Sequence, residues 1–265
     1  MKSRLIINGA AGRMGKRIVA LASEAKDFSI IGAIECPGHP DTSKDAGSLA
    51  GVERLNLLVD STMPAEADVM IDFSLPQAAE ASIDHCRDNG IALVMGTTGL
   101  SAGQRKHLDA AAHKIAIVQA TNMSMGMNLL FALVGKVAKS LGAAYDIEII
   151  EAHHRFKKDA PSGSALSLAE AVCEHTGRPC PESLTHGRAG GEVPRKEGEI
   201  GMHAIRAGDI IGQHSVLYST LGETVTLSHN AHSRDTFVRG ALRAATWVTA
   251  QKPGLYTMQD VLGLT

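Results

Sequence analysis

A chain of 265 residues, 44% hydrophobic and 20% charged, can bury a substantial core as two domains or as one large α/β domain. Its formal charge of −2 excludes a general nucleic-acid binder, and one tryptophan, three tyrosines and five phenylalanines form no series on which bases could stack. Cys36, Cys86, Cys173 and Cys180 are scattered without a CxxC pair, so reduced thiols and a cytoplasmic location are expected. The apolar run Leu5-Ile6-Ile7 is too short for a signal peptide, no later stretch approaches a membrane span, and no membrane partner is expected.

The first half alternates strands and helices. Residues 5–8 read as a short buried strand, followed by Gly9-Ala10-Ala11-Gly12-Arg13-Met14-Gly15 and then by Met14, Ile18, Leu21 and Ala25 at helical spacing. Residues 28–34 give a second strand ending at Glu35; 69–73, 92–95 and 115–118 give three more, with helix-like segments at 76–89 and 101–114 between them. That order implies a parallel sheet with right-handed crossovers. Gly9, Gly12 and Gly15 make a GxxGxxG pattern, weak by itself because glycine turns are common. Its setting strengthens it: strand, turn and helix follow in order, and Glu35 lies 20 residues after Gly15 at a strand end. An acidic group there can accept hydrogen bonds from an adenosine ribose, while the helix N-terminus stabilises a pyrophosphate. Dinucleotide binding is therefore favoured over a purely structural turn. Asp72-Phe73-Ser74 and Gly96-Thr97-Thr98-Gly99 close two further strands, where open parallel sheets bind ligands. The second could offer hydroxyls to a ribose or nicotinamide amide, or be an ordinary βα loop with Ser101 as helix cap. Ala120-Thr121-Asn122 marks the exit from this half.

In the second half, residues 128–141 are helical, with Leu129, Leu130, Leu133, Val134 and Val137 as a core stripe. A strand over 145–152 delivers the chain to His153-His154-Arg155-Phe156-Lys157-Lys158-Asp159-Ala160-Pro161-Ser162-Gly163-Ser164. Adjacent histidines can exchange protons near neutral pH, the cations add fixed charge, and Pro161 to Ser164 resemble a helix start whose amides could face an anion. Such a loop suits a small polycarboxylate protonated during reaction; it also suits a solvated basic loop before a helix. The helix after it runs over 165–175 and ends at Gly177. Beyond a Gly-, Pro- and charge-rich excursion at 178–199, strands over 200–206, 210–219 and 224–228, with turns at Gly208-Asp209 and Gly222-Glu223, are expected as antiparallel neighbours. A sheet with one free face is a reasonable oligomerisation surface. His203, His214, His229 and His232 lack metal-ligand spacing, so no metal is expected. Phe237, Ala241, Ala244, Ala245 and Val248 line a C-terminal helix that can return to the first domain.

Nearly end to end, the chain resembles the 4-hydroxy-tetrahydrodipicolinate reductase (dihydrodipicolinate reductase) family. The resemblance rests on GAAGRMG at residues 9–15, GTTG at 96–99, ATNMSMGMN at 120–128, EAHHRFKKDAPSGSAL at 151–166, RAGDIIGQH at 206–214, HNAHSRDTF at 229–237 and PGLYTMQDVLGL at 253–264. It implies an α/β fold: a Rossmann-like, parallel-sheet dinucleotide-binding domain over 1–123, completed by 236–265, and an α+β substrate-binding and tetramerisation domain over 124–235 with a mainly antiparallel or mixed sheet. It implies NADH- or NADPH-dependent reduction of 4-hydroxy-tetrahydrodipicolinate to tetrahydrodipicolinate in lysine and diaminopimelate synthesis, by a homotetramer. On this pattern His153 is the acid, Lys157 binds and polarises the dicarboxylate, and His154, Gly163 and Ser164 contact it; the family often has threonine at the last position. The cofactor would meet Gly9, Ala10, Ala11, Gly12, Arg13, Met14, Gly15, Glu35, Phe73, Gly96, Thr97, Thr98, Ala120, Thr121, Asn122 and Met123. Cys36 and Pro37 follow Glu35 without positive charge, which favours NADH, although Arg13 or Lys16 could reach a 2′-phosphate. Two other readings are a different nicotinamide oxidoreductase acting on a small amino or keto acid, and a non-catalytic dinucleotide sensor.

Overall fold

Both ends of the chain contribute to one folding unit. In the computed structural model, which describes residues 2–264, Met1–Met125 with Arg234–Thr265 form one unit and Gly126–Ser233 the other. The first 120 residues supply β1 (Ser3–Asn8), α1 (Arg13–Glu24), β2 (Phe28–Ile34), α2 (Ala46–Ala50), β3 (Val59–Asp60), β4 (Val69–Asp72), α3 (Ala79–Asn89), β5 (Ala92–Met95), α4 (Ala102–Ala112) and β6 (Ala116–Gln119). Then come α5 (Met125–Leu141), β7 (Asp146–His153), α6 (Gly163–Thr176), β8 (Leu184–His186), β9 (Ile200–Arg206), β10 (Gly212–Thr220) and β11 (Glu223–Ala231). The chain closes with α7 (Asp235–Val248), β12 (Gly254–Tyr256) and α8 (Met258–Leu262).

The first unit is a seven-stranded sheet in the order β12-β6-β5-β4-β1-β2-β3, and every pairing in it is parallel. Parallel sheets are covered on both faces, which is why β4 and β5 are buried at every residue. Strand alternation divides the core. Leu5, Ile7, Val69, Ile71 and Val94 pack with Ile18 and Val19 of α1 and with Val238, Ala241 and Ala245 of α7. Ile6, Met70, Leu93 and Ile117 pack on the other face with Ile83 of α3 and Leu108 of α4. The alanines of α7 permit a close approach, and at Gly240 it is closest: a Cβ there would lie 1.7 Å from the Met123 carbonyl oxygen. The C-terminal helix thus belongs to the dinucleotide-type unit.

In the second unit the order is β11-β10-β7-β9-β8. The pairs β10–β11 and β10–β7 are antiparallel, whereas β7–β9 and β8–β9 are parallel, making a mixed sheet. The expected neighbours 200–206 and 210–219 run in opposite directions but do not touch, because β7 lies between them. The physical reason is burial: Ile147 and Ile149 are the apolar centre of this sheet and take its middle position. They pack beneath Leu130 and Val134 of α5 and Leu168 and Val172 of α6, with Tyr218 donating its hydroxyl to the Val134 carbonyl at 2.6 Å. Ser162 caps α6, and Gly177 ends it in the left-handed conformation.

Candidate active site

Side chains alternate along β7, so Ile147, Ile149, Glu151 and His153 share one face. The apolar half lies under the helices; at its end the same face becomes ionic. Glu151 is 1% exposed and accepts two hydrogen bonds from Arg206 of β9, from Nη1 at 2.8 Å and Nη2 at 2.7 Å. It also meets His153 Nδ1 at 2.6 Å and accepts from the Ser162 amide at 3.0 Å. Burial opposes the Glu151 charge, but Arg206, His153 and Ser162 outweigh it and hold the carboxyl below the usual range. An ionised Glu151 has no proton to give, so Nδ1 of His153 carries the hydrogen and Nε2 is the atom free to exchange one.

His214 of β10 stands edge-on to His153, with ring centroids 5.1 Å apart. Its Nε2 pairs with Ser162 Oγ at 3.2 Å, and burial, aided by His153, His229 and Lys157 and opposed by Glu151, lowers it to about 4. Burial also lowers His153, against the raising influence of Glu151. Gly212 clears space beside the catalytic candidate, since a Cβ there would come 3.2 Å from His153 Nε2.

Downstream of His153, Lys157 is half-buried, with Nζ 2.8 Å from Asp159. His154 is half-buried beside Phe156 and keeps a buried Nδ1 without a hydrogen-bond partner. Gly163 and Ser164 open α6, where Ser162 Oγ accepts from the Ala165 amide and no acidic residue occupies the first turn. Such a helix start is a place where an anion is favoured. The structure thus brings His153, Glu151 and Ser162 into one hydrogen-bonded cluster, next to Lys157 and the start of α6.

In the other unit, Gly9 has φ +79°, and a Cβ there would sit 2.7 Å from the Phe73 carbonyl oxygen; at Gly15 it would sit 2.0 Å from the Gly9 oxygen. The turn therefore needs both glycines. Gly12 is the N-cap of α1 without any side-chain cap, leaving the amides of Arg13, Met14 and Gly15 for an anion. Glu35 Oε1 accepts from the Ala11 amide at 2.9 Å, which places this carboxylate against the turn. These features fit a dinucleotide: a bare backbone cradle, an open helix start and an acidic acceptor beside it. Ala10 and Ala11 are buried and Met14 packs on the core, so they offer backbone to the cradle; Arg13 is exposed. Lys16 faces Asp41 at 3.6 Å.

Asp72 organises the next loops. Fully buried, it accepts from Asn8 Nδ2 at 3.0 Å, Ser74 Oγ at 2.7 Å and Thr97 Oγ1 at 2.7 Å. The Thr97 hydroxyl thus gives its hydrogen to Asp72, leaving a ligand its oxygen lone pairs and the Thr97 backbone. Thr98 is exposed, and the Phe73 ring covers Gly96, where a Cβ would lie 2.5 Å from it. Ala120 and Asn122 are half-buried, Thr121 is exposed, and the Met123 side chain is 2% exposed in the core. Sequence reasoning assigned no role to Glu151, Arg206, His214, Asp159 or Asp72. A signal for Glu151 existed in its two-residue spacing from His153; Arg206 is brought opposite His153 only by strand register.

A parallel sheet with a glycine turn in one unit and a loop bearing two histidines and several cations in the other fit an oxidoreductase of the nicotinamide-dependent class. Two family models match: "Dihydrodipicolinate reductase, N-terminus" over residues 3–123 and "Dihydrodipicolinate reductase, C-terminus" over 126–262. The chain belongs to the dihydrodipicolinate reductase family. It is 48% identical to a 4-hydroxy-tetrahydrodipicolinate reductase of Alkalilimnicola ehrlichii over 100% of both chains, and 46% identical to one of Rubrobacter xylanophilus over 98% of both. In fold it is similar to a dipicolinate-bound dihydrodipicolinate reductase from Paenisporosarcina sp. TG-14, with a TM-score of 0.74, 24% identity and coverage of 98% of this chain and 99% of that one. Neither a different oxidoreductase nor a non-catalytic sensor is favoured beside these full-length matches.

Proposed function

We propose that this chain reduces 4-hydroxy-tetrahydrodipicolinate to tetrahydrodipicolinate with a nicotinamide cofactor, in lysine and diaminopimelate biosynthesis, with His153 as the proton donor. The observation that carries this reading is His153, held by the buried carboxylate of Glu151 two strand positions away, in the same loop as Lys157 and the start of α6. Lys157 and the Gly163 and Ser164 amides bind the substrate carboxylates: Lys157 exchanges Asp159 for a ligand carboxylate, and the helix start favours a second one. His154 contacts the substrate from the neighbouring position. In its protonated form, with hydrogens on both nitrogens, His153 gives up the Nε2 proton and becomes the neutral ring with Nδ1–H donating to Glu151. The nicotinamide, when bound, supplies the hydride.

The unit carrying β1 to β6 holds the cofactor: Gly9, Gly12, Gly15 and the first turn of α1 receive the pyrophosphate, and Glu35 the adenosine ribose. The loops at Phe73, at Gly96 to Thr98 and at Ala120 to Met123, each following a strand end, line the rest of the cofactor site. Glu35 accepts hydrogen bonds from a ribose diol and repels a 2′-phosphate, and Lys16 is engaged by Asp41. NADH is therefore the preferred cofactor. The residue 126–233 unit binds substrate and assembles a cytoplasmic homotetramer through its open sheet face. A coupled assay of cofactor oxidation, fed by freshly generated substrate under one salt condition, tests the reading. Turnover with a higher kcat/KM for NADH, moving toward NADPH in Cys36→Arg, is expected; no turnover, or a clear NADPH preference in the unmodified chain, overturns the corresponding part.

A further inference from the structure

Glu151 does more than neutralise Arg206. Its Oε2 takes His153 Nδ1 at 2.6 Å, and its Oε1 takes the Ser162 amide at 3.0 Å, one residue before α6 begins. Both carboxylate oxygens are gripped by the planar Arg206 fork, which also reaches the Asp159 carbonyl. A carboxylate held by four donors while 1% exposed cannot rotate without breaking several charge-assisted bonds. The ring of His153 and the N-terminus of α6 are therefore fixed to one rigid group. Ser162 reinforces the link through its hydroxyl, which meets both the Ala165 amide and His214.

We propose that Glu151, clamped by Arg206, is a positioning residue for the reduction: it fixes His153 as the Nδ1–H tautomer with Nε2 as the delivering atom, and it locks that atom in place relative to the α6 amides that receive a substrate carboxylate. The inference rests on His153 being the acid. The residue acts on the reaction only through the imidazole and the helix start, touching neither substrate nor cofactor. Its charge also supports the imidazolium against burial, against Lys157 of the loop, against Arg206 of β9 and beside the neutral His214 of β10. Glu151→Gln removes that support, so His153 loses its proton at lower pH than in the unmodified enzyme.

The test is a double-mutant cycle of Glu151→Gln and His153→Ala in the full chain, with kcat and the pH dependence of kcat/KM as readouts. Glu151→Gln is expected to lower kcat by about 10²-fold, leave NADH affinity unchanged and move the basic limb of kcat/KM to lower pH. Combined with His153→Ala it is expected to add almost nothing, because the group it positions is gone. Losses that multiply in the double variant, or a basic limb that stays in place, overturn the proposal. Full activity in His153→Ala instead overturns the acid assignment, so the two failures are distinguishable. Where Glu151→Gln leaves Arg206 uncompensated and does not fold, Glu151→Gln/Arg206→Met removes both charges and takes its place. In the unmodified enzyme, 15N-histidine spectra above the basic limb give a folding-independent result: neutral His153 should carry its proton on Nδ1, and an Nε2–H tautomer contradicts the inference.

Discussion

Lowering the pH should destabilise this fold through one buried side chain, His214. Its ring is 4% exposed, edge-on to His153 and joined to Ser162 Oγ, and it is pushed from 6.5 to about 4, by burial first and then by His153, His229 and Lys157 against Glu151. An unfolded histidine takes up its proton as the pH falls through its ordinary value, whereas this one resists until the folded value is reached. The stability it contributes is therefore complete above 6.5 and is lost as the pH falls toward 4. Between about pH 7.5 and about pH 4.5 that difference amounts to about 2.5 kcal/mol, on the order of a quarter of a typical domain's stability. His214→Gln keeps a polar group near Ser162 and cannot titrate. Urea unfolding followed by circular dichroism at the two pH values should show the unmodified chain losing about 2.5 kcal/mol more than the variant. Equal losses in both proteins, or a direct NMR titration of His214 near its ordinary value, would refute the reasoning.

Two further outcomes follow from the geometry of the site. Lys157→Ala should lower turnover by about 10²-fold or more, raise KM, weaken competitive inhibition by pyridine-2,6-dicarboxylate and leave NADH affinity intact, since it removes the cation that meets a carboxylate; inhibition indifferent to substrate concentration contradicts that placement. Gly15→Ala should weaken NADH binding by roughly 10-fold or more, measured by fluorescence titration, because the new methyl meets the Gly9 carbonyl and the turn must shift; unchanged affinity shows that this turn does not carry the pyrophosphate.

Much of the architecture was legible because it is local. Apolar runs such as Leu93-Val94 and Ile6-Ile7 make buried strands, and Ser101 with Gln104 makes a capping box that starts α4 one residue later. Short elements escaped: β3, β8, β12, α2 and α8 span two to five residues and hold their places through neighbours rather than periodicity. The strand order in the second unit escaped for a different reason. Turn chemistry at Gly208-Asp209 allowed a hairpin, but burial of Ile147 and Ile149 placed β7 between the two strands. At the site, His153, Lys157 and the α6 start lie in one continuous run and could be read together. Arg206 and His214 are brought to Glu151 from β9 and β10 by register, which no spacing in the chain announces. Thr97 shows the converse: its hydroxyl looked free in the sequence, and a buried Asp72 from another strand claims its hydrogen.

The central claim, that a carboxylate-held His153 supplies the proton in this reduction, is tested most directly by comparing turnover of freshly generated substrate by the unmodified chain and by His153→Ala. NADH and pyridine-2,6-dicarboxylate binding measured on the same preparations establish that the site is otherwise intact. A loss of about 10²-fold or more in kcat, with both ligands still bound, is the predicted result; full turnover in His153→Ala contradicts the account.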